Sequence, residues 1–341
     1  MKEHLDQLNT LLNIESPTGN TQAAITYLEE VFAEYGIKTQ VTPKGALIAT
    51  IPGLSEDAIT LSAHVDTLGA MVKEIKPNGM LKLTQLGGYA WTTIEGEYVT
   101  INNGRKQLAT GTVLSTVASS HVNGAKTNAT ERNGDTIEVR LDAKVFTKQD
   151  TLDLGIQVGD FVNFDPRTTF TDTGFIKSRH LDDKACVIAL LAVAKNISRL
   201  RMQPKNTIHF FFSNYEEVGH GAAAGIPENT KEFIALDMAA PGPGQESDEY
   251  SVTICVKDSS GPYDLDMRLK LEDLAKENNI PYKLDIYPFY GSDASVALAA
   301  GANFPCALIG PGVDASHSFE RTHTEALKAT IDLTLAYLQA L

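Results

Sequence analysis

Two patterns of hydrophobic and polar positions alternate along the chain. Before about residue 67 and again after about residue 174, apolar positions at helical spacing alternate with short, nearly continuous apolar runs. The segment TQAAITYLEEVFAEYG predicts a helix that stops at Gly36, and ALIATIPG and AITLSAH predict strands, the second of which ends at His64. Such strands between amphipathic helices are typical of a mainly parallel sheet with helices on both faces.

The same alternation returns in the second part of the chain. NTIHFFFS, EFIALDM and PCALIG predict strands, and LDDKACVIALLAVAKNISRL predicts a buried helix. PYDLDMRLKLEDLAKENN, SDASVALAAG and TEALKATIDLTLAYLQAL predict further helices. We therefore expect residues 1–67 and 174–341 to form one α/β domain.

From residue 68 to residue 173 the pattern is different. Short alternating segments such as VKEIKPNGMLKL and GIQVGDFVNF are separated by Asn-Gly and other glycine-containing pairs. These pairs favour the tight turns of β-hairpins. The segment therefore predicts a small, mostly antiparallel β domain inserted into the α/β domain.

Charge and cysteine content narrow the classes of function. The 341 residues carry a formal net charge of −14 at pH 7, which argues against nucleic acid or an anionic membrane as a partner. No apolar run approaches the roughly 20 residues of a membrane span. The cysteines, Cys186, Cys255 and Cys306, form no CxxC motif, and the first residues lack the features of a signal peptide. We therefore expect a cytoplasmic protein.

Candidate chemistry lies where the predicted strands end, and functional groups collect at the carboxyl ends of strands in open α/β sheets. The polar residues at these ends and at the start of the helix after the insertion are His64, Asp66, Asp182, Asp183, Glu216, Glu217, Asp237 and, further along its loop, His317. Each alone has an ordinary structural explanation, such as a helix cap or a solvated surface pair. Together they would bring two histidines and several carboxylates into one crevice.

Such a cluster requires cations, because buried carboxylates without partners repel one another. Histidine and carboxylate ligands without cysteine suit zinc, cobalt or manganese in a catalytic site. A two-metal hydrolase needs one carboxylate that bridges the metals and another that stays off them to carry a proton. Neighbouring residues at a strand end can point in different directions, so one of Glu216 and Glu217 can bind a metal while the other acts as the base.

These residues lie in motifs that resemble those of the M42 metallo-aminopeptidases, the family of glutamyl aminopeptidases and tetrahedral (TET) peptidases. The resemblance covers nearly the whole chain and rests on AHVDTLG (63–69), LGIQVGDFVNFDP (154–166), HLDDK (180–184), EEVGHGAAAG (216–225), ALDMAAPGPG (235–244) and GSDASVALAAGANFP (291–305). In the related M20 dipeptidases and deacylases the second ligand follows the first histidine closely. Here 118 positions (182 − 64) separate His64 from Asp182, which favours M42.

The resemblance implies both architecture and site. It implies a zinc-peptidase-like catalytic domain and an inserted β-barrel-like domain for dimerisation or assembly, since family members form homo-oligomers from dimers to dodecamers. It implies two divalent metal ions on His64, Asp182, Glu217 and Asp237, with Asp182 as the bridge. In the same way it implies Glu216 as the catalytic base and Asp66 as the carboxylate that orients the imidazole of His64.

The last metal ligand has two candidates in the segment ASHSFERTHTEAL. His317 falls in register with the family when positions are counted from the strand PCALIG and back from the final helix, so we expect it to be the ligand. His323 is the alternative, and Arg321 before it matches the arginine of the family motif. The histidine that is not a ligand would bind substrate or cap the last helix.

The function implied is a metallo-aminopeptidase that removes N-terminal residues from short peptides. Thr67, where the family commonly has Glu, and the segment GPGVDASHSFERTH favour an alternative: a deacylase or specialised dipeptidase acting on an N-acylated small molecule. A phosphoryl-transfer protein would need GxxxxGK[ST] or a strand–GxGxxG–helix unit, and the sequence has neither. A non-enzymatic binding module would leave Glu216 without a role, because ligation does not need it.

Overall fold

A computed structural model describes residues 2–200 and 203–340, and the chain divides into two compact units. The larger unit comprises the chain up to Asp66 and from Arg167 onward, and the smaller unit is Thr67–Pro166. Leu341, the last residue of the predicted final helix, lies outside the described residues.

The strands of the described residues are numbered along the chain. They are β1 (Lys38–Val41), β2 (Leu47–Ile51), β3 (Ser55–His64), β4 (Gly69–Ile75), β5 (Leu81–Leu86), β6 (Tyr98–Asn102), β7 (Gln107–Ser115), β8 (Ile137–Leu141), β9 (Phe161–Phe164), β10 (Thr169–Phe170), β11 (Phe175–Ser178), β12 (Asn206–Ser213), β13 (Thr230–Leu236), β14 (Val252–Lys257), β15 (Tyr282–Ile286), β16 (Cys306–Pro311) and β17 (Glu320–His323).

The helices are numbered in the same way. They are α1 (Lys2–Leu12), α2 (Gln22–Glu34), α3 (Ser120–Asn123), α4 (Lys126–Ala129), α5 (Lys148–Asp153), α6 (Leu181–Arg199), α7 (Leu265–Glu277), α8 (Asp293–Ala299) and α9 (Thr324–Gln339), with 3-10 turns at Trp91–Thr93, Glu216–Val218 and Gly221–Ala223. None of the described helices has the length and apolar character that a membrane span requires.

An eight-stranded sheet forms the centre of the larger unit, in the order β1-β2-β12-β3-β13-β16-β14-β15. Its four middle strands, β12, β3, β13 and β16, run parallel to one another. Antiparallel pairing occurs at β1/β2, β2/β12 and β14/β16. The predicted fold class, an α/β protein with a mainly parallel sheet between helices and a small inserted β domain, is confirmed.

Strand β12 shows how both faces of this sheet are covered. Successive side chains of a strand point to opposite faces. Phe210 and Phe212 therefore pack into the core that α1, α2, α6, α7 and α9 form on one face, whereas Phe211 packs into the second core, to which α8 contributes. The nearly continuous apolar sequence of such strands follows from this double burial.

Helix α6 is buried almost all round, with every side chain from Leu181 to Ala194 inside the larger unit. It has no polar stripe because it lies between the sheet and the helices α1 and α9. Its one buried lysine, Lys184, donates from Nζ to the carbonyl oxygens of Leu11 at 2.9 Å and Ile14 at 2.7 Å. These bonds fix the end of α6 that carries Asp182.

The smaller unit is a closed barrel with the strand order β4-β5-β8-β7-β6-β9, in which the pairs are antiparallel. It has a core of its own, formed by inward-facing residues such as Val72, Leu83, Ile101 and Val139. Alternating strands that each turn one face inward account for the period-two pattern of its sequence.

The chain returns to the larger unit earlier than the sequence pattern predicts, at Arg167 and not at residue 174. Strand β10 pairs with β11, and β11 pairs with β17 near the end of the chain. This three-stranded sheet ties residues 167–173 to the α/β unit. Its short segments alternate apolar and polar residues in the same way as the preceding hairpins, so the sequence pattern does not reveal the boundary between the two units.

Packing of α2 on the sheet offers a test of the core. The ring of Phe32 lies 6.0 Å from that of Phe210 and 5.6 Å from that of Phe212, and all three are fully buried. We expect Phe32→Ala to lower the free energy of unfolding by about 3–5 kcal/mol, measured by chemical denaturation. The control Leu54→Ala, at a side chain that is 74% exposed, should change it by less than about 0.5 kcal/mol. Equal effects of the two substitutions would contradict this packing.

Candidate active site

The candidate site lies at the carboxyl ends of the four parallel strands. β3 ends at His64, β12 is followed by Glu216 and Glu217, β13 is followed by Asp237, and β16 leads into the loop that carries His317. Because these strands are neighbours and point the same way, their ends lie side by side. Asp182 reaches the same place from the start of α6, which packs on β3.

The imidazole of His64 is held in one tautomer. Its Nδ1 lies 2.9 Å from the carbonyl oxygen of Asp66, which can only accept, so Nδ1 carries the proton. Its Nε2 then faces Asp182 Oδ1 at 3.1 Å. Burial opposes protonation of the ring, but the hydrogen bonds to Asp182 and Asp66 raise the pKa of His64 well above its ordinary value. Two acceptors so close require a proton or a metal cation between them.

Asp182 stands between the two histidines. One carboxylate oxygen, Oδ1, faces His64, and the other, Oδ2, lies 3.4 Å from Nε2 of His317. Burial would raise the pKa of Asp182, but hydrogen bonds from His317 and His64 outweigh burial and hold the pKa below its ordinary value. A carboxylate with one oxygen toward each histidine has the geometry of a bridge between two cations.

Two groups of potential ligand atoms share this carboxylate. His64, Asp182 and Asp237 form one group, and Asp182, Glu217 and His317 form the other, each with its ligand atoms within 4.8 Å of one another. Oε1 of Glu217 is buried and has no hydrogen-bond partner among the described residues. An orphaned oxygen on a carboxylate that belongs to such a ligand group fits a bound cation.

The acidic residues around these groups divide into two sets by their partners. Four buried carboxylates accept backbone N–H bonds: Asp66 from Glu216 and Glu217, Asp183 from His64, Asp293 from Ala222, and Glu320 from Asp182 and His317. The side chains of Asp182, Glu216, Glu217 and Asp237 accept none from residues that the structure describes. The first set fixes the backbone around the site through hydrogen bonds. The carboxylates of the second set remain available to bind metal ions or to transfer a proton.

Burial makes the second set costly without cations. It raises the pKa of Asp237 to about 8, with a further contribution from the charge of Asp182. Burial also raises the pKa of Glu216 and of Glu217 well above the ordinary value. Two divalent cations would neutralise these charges and stabilise the ionised forms.

Asp66 contacts His64 through both its backbone and its side chain. It is the carbonyl oxygen of Asp66 that binds Nδ1 of His64, while its carboxylate Oδ1 lies 3.5 Å from that nitrogen. The carboxylate accepts from the hydroxyl of Thr18 at 2.6 Å and from the amides of Glu216 and Glu217 at 3.1 and 3.3 Å. Its side chain therefore fixes the turn that carries the two glutamates.

Glu216 and Glu217 leave this turn in different directions. Glu217 points to His317, with Oε2 3.7 Å from its Nε2, and belongs to a ligand group. Glu216 lies outside both groups, with Oε2 3.8 Å from Nε2 of His64 and a side chain that is 15% exposed. The turn therefore gives the two carboxylates different surroundings. Residue type alone does not tell which of them is the candidate ligand and which the candidate base.

The structure brings His317 to the cluster and places His323 elsewhere. His323 stands at the start of α9, where its Nδ1 accepts from the amide of Glu325 at 3.2 Å and its Nε2 donates to the carbonyl of Thr173 at 2.8 Å. Its ring packs against Phe175 and Tyr250. With both ring nitrogens occupied, His323 caps the last helix.

Glu320 is a site residue that the sequence pattern does not predict. It is buried, and it accepts from the amide of Asp182 at 3.1 Å and from the amide of His317 at 3.2 Å. Burial raises the pKa of Glu320 to about 8. In the sequence HSFER a glutamate next to an arginine looks like a surface pair, so no signal predicts that it joins two parts of the site.

Two glycines allow the backbones at the site to approach closely. A Cβ on Gly310 would lie 1.8 Å from the carbonyl oxygen of Asp237. A Cβ on Gly221 would lie 2.2 Å from Oδ1 of Asp293 and 3.1 Å from Cα of Glu216. A side chain at Gly310 would displace the strand end that carries Asp237, and one at Gly221 would displace the carboxylate of Asp293 beside the turn of Glu216.

The cluster opens into a cavity of ≈ 630 Å³. Apart from the cluster itself, its lining comes mainly from residues 238–245 after β13, residues 287–291 before α8, and Val296 of α8. The sequence does not predict this cavity, because loops of mixed polarity carry no periodic signal. A cavity of this size, with clustered polar groups at one end, suits a small substrate or the end of a peptide.

Fold and site together are those of a hydrolase that works with divalent metal ions. The sequence pattern of the family described as M42 glutamyl aminopeptidase matches residues 45–333. The chain belongs to this family, and the prediction of an aminopeptidase, a peptide hydrolase, is confirmed. Membership favours this function over the deacylase or specialised dipeptidase that Thr67 suggested.

Individual relatives agree with this assignment. The chain is 49% identical over 341 residues to the protein named "Putative aminopeptidase YhfE" of Bacillus subtilis (strain 168), covering all of this chain and 98% of that protein. Its fold is similar to that of a TET aminopeptidase from a marine sediment archaeon of the Thaumarchaeota, with a TM-score of 0.90 at 18% identity, covering 100% and 97% of the two chains. It is also similar to the TET1 peptidase of Pyrococcus horikoshii, with a TM-score of 0.85 at 21% identity, covering 98% and 99%.

The shared position of Asp182 predicts the metal content of a variant. We expect Asp182→Asn to lose both cations, because an amide offers one acceptor oxygen where two are needed. Elemental analysis after dialysis measures this, with Asp57→Asn, at an exposed aspartate, as the control that keeps full metal content. Full occupancy in folded Asp182→Asn protein would show that this residue does not bridge.

Proposed function

We propose that this chain removes N-terminal residues from short peptides with two divalent metal ions. His64, Asp182 and Asp237 would hold one ion, and Asp182, Glu217 and His317 the other. The observation that carries the proposal is that the two ligand groups meet at one carboxylate, whose two oxygens face different histidines.

The residues fit such ions chemically. Two imidazole nitrogens and three carboxylates, without cysteine, suit zinc, cobalt or manganese, and activity restored by each ion to chelated protein would identify the best one. When bound, such ions supply electrophilic activation of the scissile carbonyl and acidify the attacking water. The orphaned Oε1 of Glu217 and the raised pKa of Asp237 support the same donor set.

Glu216 is the proposed general base. It lies outside both ligand groups, and its side chain reaches the cavity. It takes a proton from the water as the new C–O bond forms, and it gives the proton to the peptide nitrogen as the C–N bond breaks. Burial raises the pKa of Glu216 well above its ordinary value, which makes the carboxylate a stronger base.

The remaining residues hold this geometry. The carbonyl of Asp66 fixes the tautomer of His64 so that Nε2 faces the cluster. The carboxylate of Asp66 fixes the backbone of both glutamates, and Glu320 links Asp182 to His317. None of these side chains needs to contact the substrate.

The role of Glu216 is tested by Glu216→Gln. We expect this variant to keep its metals and lose at least about a hundredfold in kcat, because the amide cannot accept the proton. Turnover of an aminoacyl p-nitroanilide and elemental analysis are measured together, with Glu228→Gln, an exposed position, as the control. Normal turnover in the metal-loaded variant would refute the assignment.

A paired substrate test addresses the reaction itself. The same peptide is supplied with a free and with an N-acetylated amine. We expect hydrolysis of the free form only, since the proposed reaction begins at an unblocked N-terminus. Preferential cleavage of the acetylated peptide would favour the deacylase alternative.

We also propose that the chain forms homo-oligomers, in the range from dimer to dodecamer, through the barrel unit. The TET1 peptidase of Pyrococcus horikoshii, which has a similar fold, can assemble into a tetrahedron or a large octahedral shell. The barrel unit of this chain exposes large apolar side chains, including Tyr98, Val122, Phe146 and Val158. Such side chains are candidates for burial between copies.

Light scattering coupled to size-exclusion chromatography tests this. The mass of one chain is 36.9 kDa, so we expect a multiple of it. The double variant Val122→Asp and Phe146→Asp should lower the mass, because it places charges on an apolar surface, and a monomeric parent protein would contradict the proposal.

A cytoplasmic location is also part of the proposal. Cys186, Cys255 and Cys306 are buried free thiols, which is typical of proteins from a reducing compartment. Cell fractionation with an antibody to the chain tests it.

A further inference from the structure

The cavity beside the metal-binding cluster is lined largely by apolar and aromatic residues from two segments of the chain. One wall follows Asp237 along the chain and contains Met238, Ala240 and Pro241. Another comes from residues 287–291 and from Val296 of α8. Both walls belong to the larger unit. The first follows Asp237 directly, and the second is joined to it through the bond from Tyr290 to the carbonyl of Met238, so both line the cavity into which a group held at the cluster would extend.

Charge in this cavity is confined to the cluster. The histidine and carboxylates that line it are Asp182, Glu216, Glu217, Asp237 and His317. Within residues 2–200 and 203–340, no lysine or arginine lines it. Two divalent cations carry as much positive charge as four carboxylates carry negative charge. A charged substrate side chain would therefore enter without a partner of opposite sign, which is costly in a partly buried site.

One acidic residue behind the lining, Asp285, is not available as a partner for a basic side chain, because its oxygens are already occupied. It accepts from Nε2 of Gln245 at 2.9 Å, from the amide of Glu246 at 3.0 Å, and from the amide and hydroxyl of Ser247 at 2.9 and 2.5 Å. The charge is thus satisfied inside the protein. The carbonyl of Ile286 also accepts from Nε2 of Gln245, so that amide is tied down as well.

The aromatic part of the lining is held at both ends. The hydroxyl of Tyr290 donates to the carbonyl of Met238 at 2.7 Å, and the hydroxyl of Tyr287 lies 2.5 Å from that of Ser247. Between these anchors, Phe289 is 97% exposed at the cavity. An apolar side chain in the cavity would cover this ring and gain from the burial of both surfaces.

We propose that this cavity selects peptides whose N-terminal side chain is neutral and apolar, such as leucine, methionine or phenylalanine, and rejects glutamate and lysine. This inference rests on the proposed aminopeptidase function and specifies its substrate class. It differs from the glutamyl preference in the name of the family.

The test is a panel of aminoacyl p-nitroanilides with the metal-loaded protein. We expect kcat/KM for leucyl and phenylalanyl substrates to exceed that for glutamyl and lysyl substrates by about tenfold or more. Free leucine, glutamate and lysine are compared in parallel as competitive inhibitors, which measures the same selectivity on a different ligand. We expect leucine to inhibit at the lowest concentration.

A charge placed in the wall should change the preference. Val296→Arg adds a cation to the lining, so we expect the ratio of glutamyl to leucyl kcat/KM to rise by about tenfold or more. Leu298→Arg adds the same charge on the same helix at a side chain outside this cavity, and it should leave the ratio unchanged. Ala240→Arg repeats the test from the opposite segment if Val296→Arg does not fold.

The outcomes separate the two proposals. Turnover with glutamyl or lysyl substrates preferred over apolar ones overturns the selectivity and leaves the aminopeptidase function intact. Equal ratios in Val296→Arg, Ala240→Arg and Leu298→Arg also overturn it, because the cavity would then not contact the N-terminal side chain. Absence of turnover with every aminoacyl substrate overturns the proposed function and this inference with it.

Discussion

Buried carboxylates crowd together at the carboxyl ends of the parallel strands, and their mutual repulsion has to be balanced by the surrounding backbone or by bound cations. Desolvated acids of like charge repel one another, and each must find donors or cations. The chain meets this requirement in two ways. Asp66, Asp183, Asp293 and Glu320 accept backbone N–H bonds, whereas the side chains of Asp182, Glu216, Glu217 and Asp237 have no such donor among the described residues. The hydrogen-bonded carboxylates make the backbone rigid. The rigid backbone holds the other four carboxylates close together although their charges repel one another.

This division explains features of the backbone that are otherwise unconnected. Gly310 allows β16 to pass against the carbonyl of Asp237, and Gly221 leaves room for Asp293 beside the turn of Glu216. Lys184 ties the start of α6 to the end of α1, which steadies the peptide that carries Asp182. Electrostatic preorganisation of this kind is built by folding, before a cation or a substrate arrives.

The sequence predicts the part of the site that follows from strand periodicity. His64, Glu216, Glu217 and Asp237 stand at the ends of apolar runs, and parallel strands bring such ends together, so their proximity needs no further information. Glu320 and the cavity walls could not be predicted in this way, because they depend on how loops without periodicity return to the sheet. The choice between His317 and His323 is of the same kind: residue type is identical, and only the partners of the ring nitrogens distinguish a helix cap from a candidate ligand. The early return of the chain at Arg167 was missed because strands β10 and β11 resemble the hairpins before them.

The adjacent glutamates show why position on the backbone outweighs residue type. Both have their amides bound by the carboxylate of Asp66, so neither can rotate its backbone independently. The 3-10 turn then points Glu217 toward His317 and leaves Glu216 beside the open cavity. A metal ligand must be fixed among other ligands, whereas a base must reach the substrate and exchange a proton. By fixing both amides, Asp66 holds two chemically identical side chains in different surroundings. Glu217 is thereby placed to bind a metal ion, and Glu216 is placed to transfer a proton.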